Sequence, residues 1–219
     1  MLEYEGIQIT WLGHDGFKLK KDKVVYVDPY QLKSAAEPAD IACVTHEHFD
    51  HFSAEDLKKV VTPQTTVVTI AACEEGARSL RPKAVRAVRP GDRIEVQGIA
   101  IEAVPAYNTS KFRAPGKPFH PQGDGKVGFV LTLGGVRIYH AGDTDHIPEM
   151  AKVSGVDVAL LPVSGTYVMT AAEAIAACKT IGPKLAIPMH YGSIVGAVAD
   201  AEAFKKGAAC RVEILTPEA

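Results

Sequence analysis

Three histidines and two acidic residues stand within the seven residues 45–51, directly after the apolar run 41–44. A short apolar run with polar residues on either side is typical of a buried strand, and functional groups collect in the loops that follow such strands. Side chains two positions apart in an extended segment point the same way, so His46 and His48 can hold one metal ion. Asp50 and His51 then remain for a second ion. A solvated, histidine-rich turn is the alternative, and the density of ligand-type groups favours the metal site.

The composition predicts one globular domain over residues 1–219. Of these residues 47% are apolar, which is enough for one substantial core. The net charge of −2 gives no general attraction to nucleic acid or to anionic membranes. Residues 1–5 do not resemble a secretion signal, and no apolar run is long enough to span a bilayer. The four cysteines are widely spaced and predict free thiols in a reducing compartment, so we expect a cytoplasmic protein whose oligomeric state stays open.

Two later segments carry the same type of chemistry. Residues 139–144 read Tyr-His-Ala-Gly-Asp-Thr, and residues 188–192 read Pro-Met-His-Tyr-Gly. Together with His-Glu-His-Phe-Asp-His at 46–51, they resemble the metallo-β-lactamase superfamily in order and spacing. The resemblance implies that Asp143 bridges two metal ions and that His190 binds the second one.

The N-terminal part extends the resemblance to nearly the whole chain. Residues 11–14 and 27–29 are similar to the opening hairpin of the family. The Gly-His pair at 13–14 is familiar from the branch that contains ascorbate-6-phosphate lactonase and N-acyl-phosphatidylethanolamine phospholipase D. The resemblance places His14 beside the site, where a hydrogen-bonded structural role is the alternative. Asp28 is expected to orient a ligand imidazole or a loop.

One segment departs from the family pattern. After the predicted strand 99–104, most members supply a third histidine to the first metal, whereas this chain reads Pro-Ala-Tyr-Asn at 105–108. Asn108 or Tyr107 can offer an oxygen, His120 in the following loop can take the place, or water can complete the shell. An asparagine oxygen is a hard ligand that suits manganese or magnesium better than zinc, so the choice of metal stays open.

The loop 108–126 is the second region with a functional pattern. Its prolines and glycines are expected to exclude regular structure. Loops this long inside a compact domain are usually functional. We therefore expect Lys111, Arg113 or Lys117 to present positive charge to an anionic substrate, with His120 in reach of the metals. A solvated loop with ordinary surface lysines is the alternative.

The order of predicted elements favours an α/β fold. Residues 16–28 and 128–143 share the order strand, tight turn, strand, acid, which reflects either common hairpin grammar or a duplication. Capping signals at Ser53 and at Thr170 with Glu173 predict helices between strands. The resemblance implies a four-layer αββα sandwich of the metallo-β-lactamase type. Every candidate ligand follows a predicted strand, so loops at one rim can converge on one site.

These features predict a binuclear metal-dependent hydrolase. A hydroxide that bridges two divalent ions would attack an ester, lactone or phosphodiester bond of a small anionic substrate. Asp50, His120 and Tyr167 are the candidate catalytic residues, with His14 as a further group to assist the leaving group. Zinc is the first choice of metal, with manganese or iron as alternatives. A non-catalytic metal-binding or regulatory module and an iron-dependent oxidoreductase are the alternative functions.

Overall fold

The apolar run before the histidine cluster forms β5 (Ile41–Cys43), a fully buried strand in the interior of a seven-stranded sheet. The computed structural model describes residues 1–33 and 36–218. The strands of this first sheet, in sheet order, are β1 (Leu2–Tyr4), β2 (Ile7–Gly13), β3 (Gly16–Lys20), β4 (Val24–Val27), β5, β6 (Thr66–Ile70) and β7 (Ala84–Val88). Neighbours from β1 to β4 are antiparallel, and neighbours from β4 to β7 are parallel.

A second seven-stranded sheet repeats this topology. Its strands, in sheet order, are β8 (Arg93–Val96), β9 (Ile99–Pro105), β12 (Val127–Leu133), β13 (Val136–His140), β14 (Val158–Pro162), β15 (Leu185–Met189) and β16 (Arg211–Val212). Four strands in antiparallel order are again followed by three added in parallel. The likeness between residues 16–28 and 128–143 is therefore part of a correspondence between whole sheets, which favours a duplication.

The loop 108–126 contains a small hairpin of its own. Its strands are β10 (Phe112–Ala114) and β11 (Lys117–Pro118), joined at Gly116, whose φ is 69°. A short 3₁₀ turn over Gln122–Asp124 follows. The expectation that prolines and glycines exclude regular structure here is wrong, because glycine supplies the left-handed turn that closes the hairpin. The loop is consequently shaped, and it folds back toward the strand ends.

Helices flank both sheets. They are α1 (Ala54–Val60), α2 (Glu74–Ser79), α3 (Ala171–Ile181) and α4 (Val198–Gly207), with 3₁₀ turns at Ala71–Cys73 and Pro148–Val153. The predicted caps are confirmed: Ser53 accepts from the backbone N–H of Asp56, and Thr170 and Glu173 form a reciprocal capping box. Such caps satisfy orphan N–H groups and stabilise a helix by about 1 kcal/mol each.

One hydrophobic core joins the two sheets. Side chains such as Ile9 and Phe17 from the first sheet and Ile101 and Phe129 from the second belong to a single buried cluster. Burial of each such side chain contributes about 1.5–3 kcal/mol, so the strand ends stand on a rigid base. The predicted αββα sandwich is confirmed. Within the described residues, no helix combines the length and apolarity needed to cross a bilayer.

The four cysteines are unpaired, as expected from their spacing. Cys43 and Cys73 lie in the core, and burial raises the pKa of the Cys73 thiol to about 11. Cys178 on α3 lies 2.9 Å from the sulfur of Cys210.

Candidate metal centre

Loops after β5, β13 and β15, together with the loop that carries the β10–β11 hairpin, bring ligand-type side chains into two adjoining groups. Gly142 allows the turn that delivers Asp143. Its φ is 63°, and a Cβ at this position would lie 2.8 Å from the carbonyl oxygen of Val127. A side chain there would meet both a strained backbone and a steric clash.

The first group consists of His46, His48, His120 and Asp143. His48 Nδ1 lies 3.0 Å from His46 Nε2 and 3.3 Å from His120 Nε2. His120 Nε2 is also 3.2 Å from Asp143 Oδ2. Ligands held tetrahedrally at zinc–nitrogen distances would be about 3.3 Å apart, so these atoms are spaced as ligands of one ion.

The hydrogen bonds of the first group engage Nδ1 of His46 and of His120 and leave their Nε2 atoms directed at the centre. The hydroxyl of Thr45 donates to Asp28 at 2.6 Å, so it accepts at 3.0 Å from Nδ1–H of His46. His120 Nδ1–H donates to Asn108 at 2.9 Å. Both Nε2 atoms therefore present lone pairs, and His48 Nδ1 can donate to only one of them.

The imidazoles of the first group are not stabilised by protonation, although several of their lone pairs face one another. Burial, with the neighbouring charge of His51, holds the pKa of His46 well below its usual value. Burial and His120 likewise lower the pKa of His48. Neutral imidazole is the form that binds metal, so the environment keeps both rings ready for a cation.

The second group consists of two overlapping sets of ligand-type atoms around His51 and His190: one set adds His14 and Asp50, and the other adds Asp143 and one more buried acid. Asp143 Oδ1 lies 3.3 Å from His51 Nε2 and 3.5 Å from His190 Nε2. His14 Nε2 lies 3.0 Å from Asp50 Oδ2. The polar side chains therefore surround a position on the opposite side of Asp143 from the first group.

The electrostatic field at the second group favours positive charge. Burial lowers the pKa of His51, but Asp143 and Asp28 outweigh it and bring the pKa well above its usual value. Burial also lowers the pKa of His190, but the negative charges of Asp143 and Asp15 outweigh burial and raise this pKa to about 9. When no cation is bound, the carboxylates favour the protonated, positively charged form of both imidazoles.

Among the described residues, Asp143 is the carboxylate that faces both groups. Its Oδ2 points to His120 and its Oδ1 to His51 and His190. Burial raises the pKa of Asp143, yet His51 and His190 hold it well below its usual value, so the group is ionised. A carboxylate in this orientation can bridge two cations.

Asp28 and Ser164 orient imidazoles from behind. Asp28 accepts from the backbone N–H of Thr45 at 2.8 Å and from His51 Nδ1 at 2.7 Å. Ser164 Oγ lies 2.9 Å from His190 Nδ1. These contacts fix the rings with Nε2 directed at the centre, which is the arrangement that raises the affinity of histidine ligands.

Backbone strain is concentrated here. His14, Asp28, Tyr167 and His190 all have positive φ, between 44° and 69°. The carbonyl of His14 is held by the backbone N–H of His190 at 3.0 Å and by Trp11 Nε1 at 2.9 Å. Such conformations cost about 1–3 kcal/mol each and persist where the surroundings enforce them, typically at functional sites.

Asp15 belongs to the second group, although the sequence interpretation missed it. The residue is fully buried, and neither carboxylate oxygen has a hydrogen-bond partner among the described residues. Its Oδ2 lies 3.7 Å from His51 Nε2 and 3.8 Å from His190 Nε2. His140 Nε2 donates at 2.8 Å to the Asp15 carbonyl and holds the turn in place. The only signal in the sequence was an acid next to His14.

Asn108 does not lie where a ligand would. Its Oδ1 accepts from both the backbone N–H and Nδ1–H of His120, and its Nδ2 donates to Asp145 and to the carbonyl of Tyr167. The expectation that Asn108 offers its oxygen to a metal is therefore corrected. Tyr107 points elsewhere too, because its hydroxyl donates to Glu149 at 3.0 Å.

Two of the basic side chains of the loop pair with acidic residues outside the cavity. Lys111 pairs with Glu173 at 2.7 Å and with Asp145 at 3.5 Å. Lys126 is buried and pairs with Glu47. Neither lysine lines the cavity over the centre, so the expected cationic lid is not formed by them.

That cavity has a volume of about 270 Å³. Its floor consists of His48, Asp50, His120 and Asp143, and its walls are Phe49, Phe119, Tyr167 and Ile194. Tyr167, a candidate catalytic residue, thus lies in the wall, with its ring packed edge-on against Phe119 at 4.7 Å between centroids.

The donor set fits divalent cations. His51 Nε2, Asp143 Oδ1 and both oxygens of Asp15 are buried without partners in the described structure. Each unsatisfied buried polar group costs about 1–3 kcal/mol, and more when charged, so a cation between them would offset a large penalty. Imidazole with carboxylate is a combination that zinc, iron and manganese accept.

Comparison with known proteins places this chain in a family. The profile described as the beta-lactamase superfamily domain matches residues 8–190. A UPF0173 metal-dependent hydrolase of Methanoculleus marisnigri is 35% identical over 223 residues, which cover 96% of this chain and 94% of the relative.

Solved structures of related hydrolases have the same fold as this chain. A crystal structure from Parabacteroides distasonis, described as that of a metal-dependent hydrolase, is 32% identical with a TM-score of 0.78 and covers 95% of this chain and 92% of that one. Igni18, a metallo hydrolase from Ignicoccus hospitalis, has a TM-score of 0.77 at 22% identity, covers 97% of this chain and 96% of its own, and shares the fold. The likeness to the ascorbate-6-phosphate lactonase branch stays a prediction. This chain therefore belongs to the metallo-β-lactamase superfamily and, within it, to the UPF0173 metal-dependent hydrolases.

Proposed function

We propose that the protein is a binuclear metal-dependent hydrolase. His46, His48 and His120 would hold the first ion, Asp50, His51 and His190 the second, and Asp143 would bridge them. The observation that carries the proposal is the orientation of Asp143, whose two oxygens face two separate groups of ligand-type atoms at 3.2–3.5 Å. A structural zinc site would need only one saturated group.

Asp15 is proposed as an additional carboxylate at the second position. Its buried, unpartnered oxygens lie against His51 and His190. The first position would then be rich in nitrogen and the second rich in oxygen. Nitrogen ligands suit zinc, whereas added carboxylates favour harder ions such as manganese or iron(II), so the two positions would differ in preference.

The reaction proposed is attack of water on a carbonyl or phosphoryl centre in an ester, lactone or phosphodiester. Bound divalent cations would lower the pKa of water and stabilise negative charge on the oxygen of the transition state. The water oxygen bonds to the acyl carbon or phosphorus, the bond to the leaving oxygen breaks, and a proton passes to that oxygen.

The chain supplies groups for positioning and proton transfer. His120 is committed to Asn108 through Nδ1 and faces the centre through Nε2, so its proposed role is ligand rather than acid. Asp50, held by His14 at 3.0 Å, borders the cavity floor. The hydroxyl of Tyr167, in the cavity wall, is the proposed proton donor to the leaving group.

Metal reconstitution tests the proposal. Protein freed of metal with a chelator should be inactive toward a panel of esters, lactones and phosphodiesters, and zinc, manganese(II) or iron(II) should restore hydrolysis. Asp143→Ala should fall to the background rate, whereas Asp56→Asn, a buried carboxylate on α1 outside the site, should keep turnover. Two bound ions without turnover of any panel member would favour the non-catalytic module instead, and dioxygen-dependent chemistry of the iron form would favour an oxidoreductase.

A further inference from the structure

We propose that the substrate places an uncharged, apolar group against the cavity walls, next to the bond that is cleaved. This inference rests on the proposed hydrolase function and names the substrate class of the same site. It replaces the anionic substrate that the basic residues of the loop 108–126 had suggested.

The walls are apolar and partly exposed. Phe49 is 67% exposed, Ile194 45% and Tyr167 36%, and all three border the cavity together with Phe119. Exposed apolar side chains that are scattered singly over a surface are ordinary. Several of them grouped at the rim of a cleft typically mark a binding surface. A group seated between them would remove this surface from water.

The walls also offer no charge to an anionic group. Asp50 and Asp143 would be engaged by the metal ions of the proposed centre, and no lysine or arginine is among the lining residues that the structure describes. Lys111 and Lys126 are paired with Glu173 and Glu47, and the exposed Arg113 and Lys117 do not line the cavity either. A carboxylate in the substrate tail would lose hydration and gain no protein cation in return.

The size of the cavity limits the group. Its volume is about 270 Å³. A cavity of about 150 Å³ holds benzene, so this one has room for a phenyl or short alkyl group together with the reacting bond. Long lipid chains and polymers would extend into solvent, and we therefore expect a small molecule.

Matched esters give the kinetic test. The metal-loaded protein is assayed with 4-nitrophenyl esters of acetate, butyrate and hexanoate and with the 4-nitrophenyl half-ester of adipate, which carries a carboxylate at the end of a six-carbon acyl chain. We expect kcat/KM to rise by up to about fourfold per buried methylene until the cavity is filled. The kcat/KM of the charged half-ester should be at least tenfold lower than that of the hexanoate. A factor of ten corresponds to about 1.4 kcal/mol of free energy.

Variants assign the effect to the walls. Ile194→Lys should lower kcat/KM for the hexanoate and raise it for the half-ester, so that their ratio falls by at least tenfold. Phe112→Lys is the matched control, because Phe112 is similarly exposed, at 48%, yet does not line the cavity. Equal or better use of the half-ester by the unaltered protein, or an unchanged ratio in Ile194→Lys, would overturn the proposal.

A binding arm separates this inference from the proposed function. Benzohydroxamate and 4-carboxybenzohydroxamate share a metal-binding head and differ only in the charge at the far end of the ring. Calorimetry with the metal-loaded protein should give at least tenfold tighter binding of the neutral compound. If no ester is hydrolysed, the proposed function fails, yet this comparison still decides the inference, and tighter binding of the carboxylate would refute it.

Discussion

The side-chain oxygen of Asn108 accepts hydrogen bonds from both the backbone N–H and the Nδ1–H of His120, each at 2.9 Å. The segment 105–108, where the family resemblance implied a histidine, thus supplies the asparagine that holds His120, which faces the centre from the same loop. Asn108 is itself fixed by Asp145 at 3.0 Å and by the carbonyl of Tyr167 at 2.7 Å. The pair acts as one unit in which the asparagine sets the tautomer and direction of the imidazole.

Loss of the Asn108 side chain should therefore weaken the first metal position. Asn108→Ala leaves His120 in the chain but frees its ring, and we expect the affinity of that position to fall by about tenfold to a hundredfold. Competition with a metal indicator measures this. Tyr107→Phe is the control, since its hydroxyl contacts only Glu149. Unchanged affinity in Asn108→Ala would show that the asparagine has no part in holding the site.

Asp143 and His46 should differ in how many ions they affect. Asp143→Ala removes a carboxylate that faces both groups, so both ions should be lost or weakened together. His46→Ala removes a nitrogen of the first group, and we expect one ion to remain. Elemental analysis at a fixed free-metal concentration provides the count. Wild-type metal content in Asp143→Ala would contradict the bridging role.

Asp15→Asn should have opposite effects on the metal-free and metal-loaded protein. Without metal, neither oxygen of the buried carboxylate accepts a hydrogen bond in the described structure, and the imidazoles of His51 and His190 at 3.7–3.8 Å offset its desolvation only in part, so its neutral isostere should raise the Tm. With metal, loss of a charged ligand should reduce the stabilisation that metal provides. Each kcal/mol corresponds to about 2–4 °C in a protein of this size. Thermal unfolding at several metal concentrations tests both signs, and a lower Tm in both states would indicate a purely structural role.

Gly142→Ala should disturb the centre more than a comparable glycine elsewhere. Gly142 and Gly182 share a φ of 63°, but only at Gly142 would a Cβ meet a backbone carbonyl, that of Val127 at 2.8 Å. Gly182→Ala, at the end of α3, should cost about 1 kcal/mol from backbone strain alone. Gly142→Ala should cost more in denaturant unfolding and should also lower metal content, because Asp143 follows directly. Equal losses in the two variants would exclude the steric argument.

Local patterns were enough to locate most of the centre. His46, His48 and His51 follow a buried strand within a few residues, and Asp143 and His190 follow two others. Strand ends are recognisable from apolar runs, and polar residues after them meet at one rim because the strands share a sheet. The capping signals of α1 and α3 are local in the same way.

Contacts between residues far apart in the chain could be seen only in the folded structure. Asn108 and His120 lie 12 positions apart, and the β10–β11 hairpin brings the second back to the first. Lys111 meets Glu173 across 62 positions, which removes its charge from the cavity.

Asp15 is a residue whose place in the site could not be predicted from its sequence neighbours. In the sequence it reads as an ordinary acid in a hairpin turn, and only the arrival of His51 and His190 from other loops makes it part of a site. Ligand types and strand-end positions are local properties, so the order of residues alone was enough to predict metal chemistry. Which atoms face the centre depends on hydrogen bonds and ion pairs between segments far apart in the chain, and these exist only once the two sheets have packed.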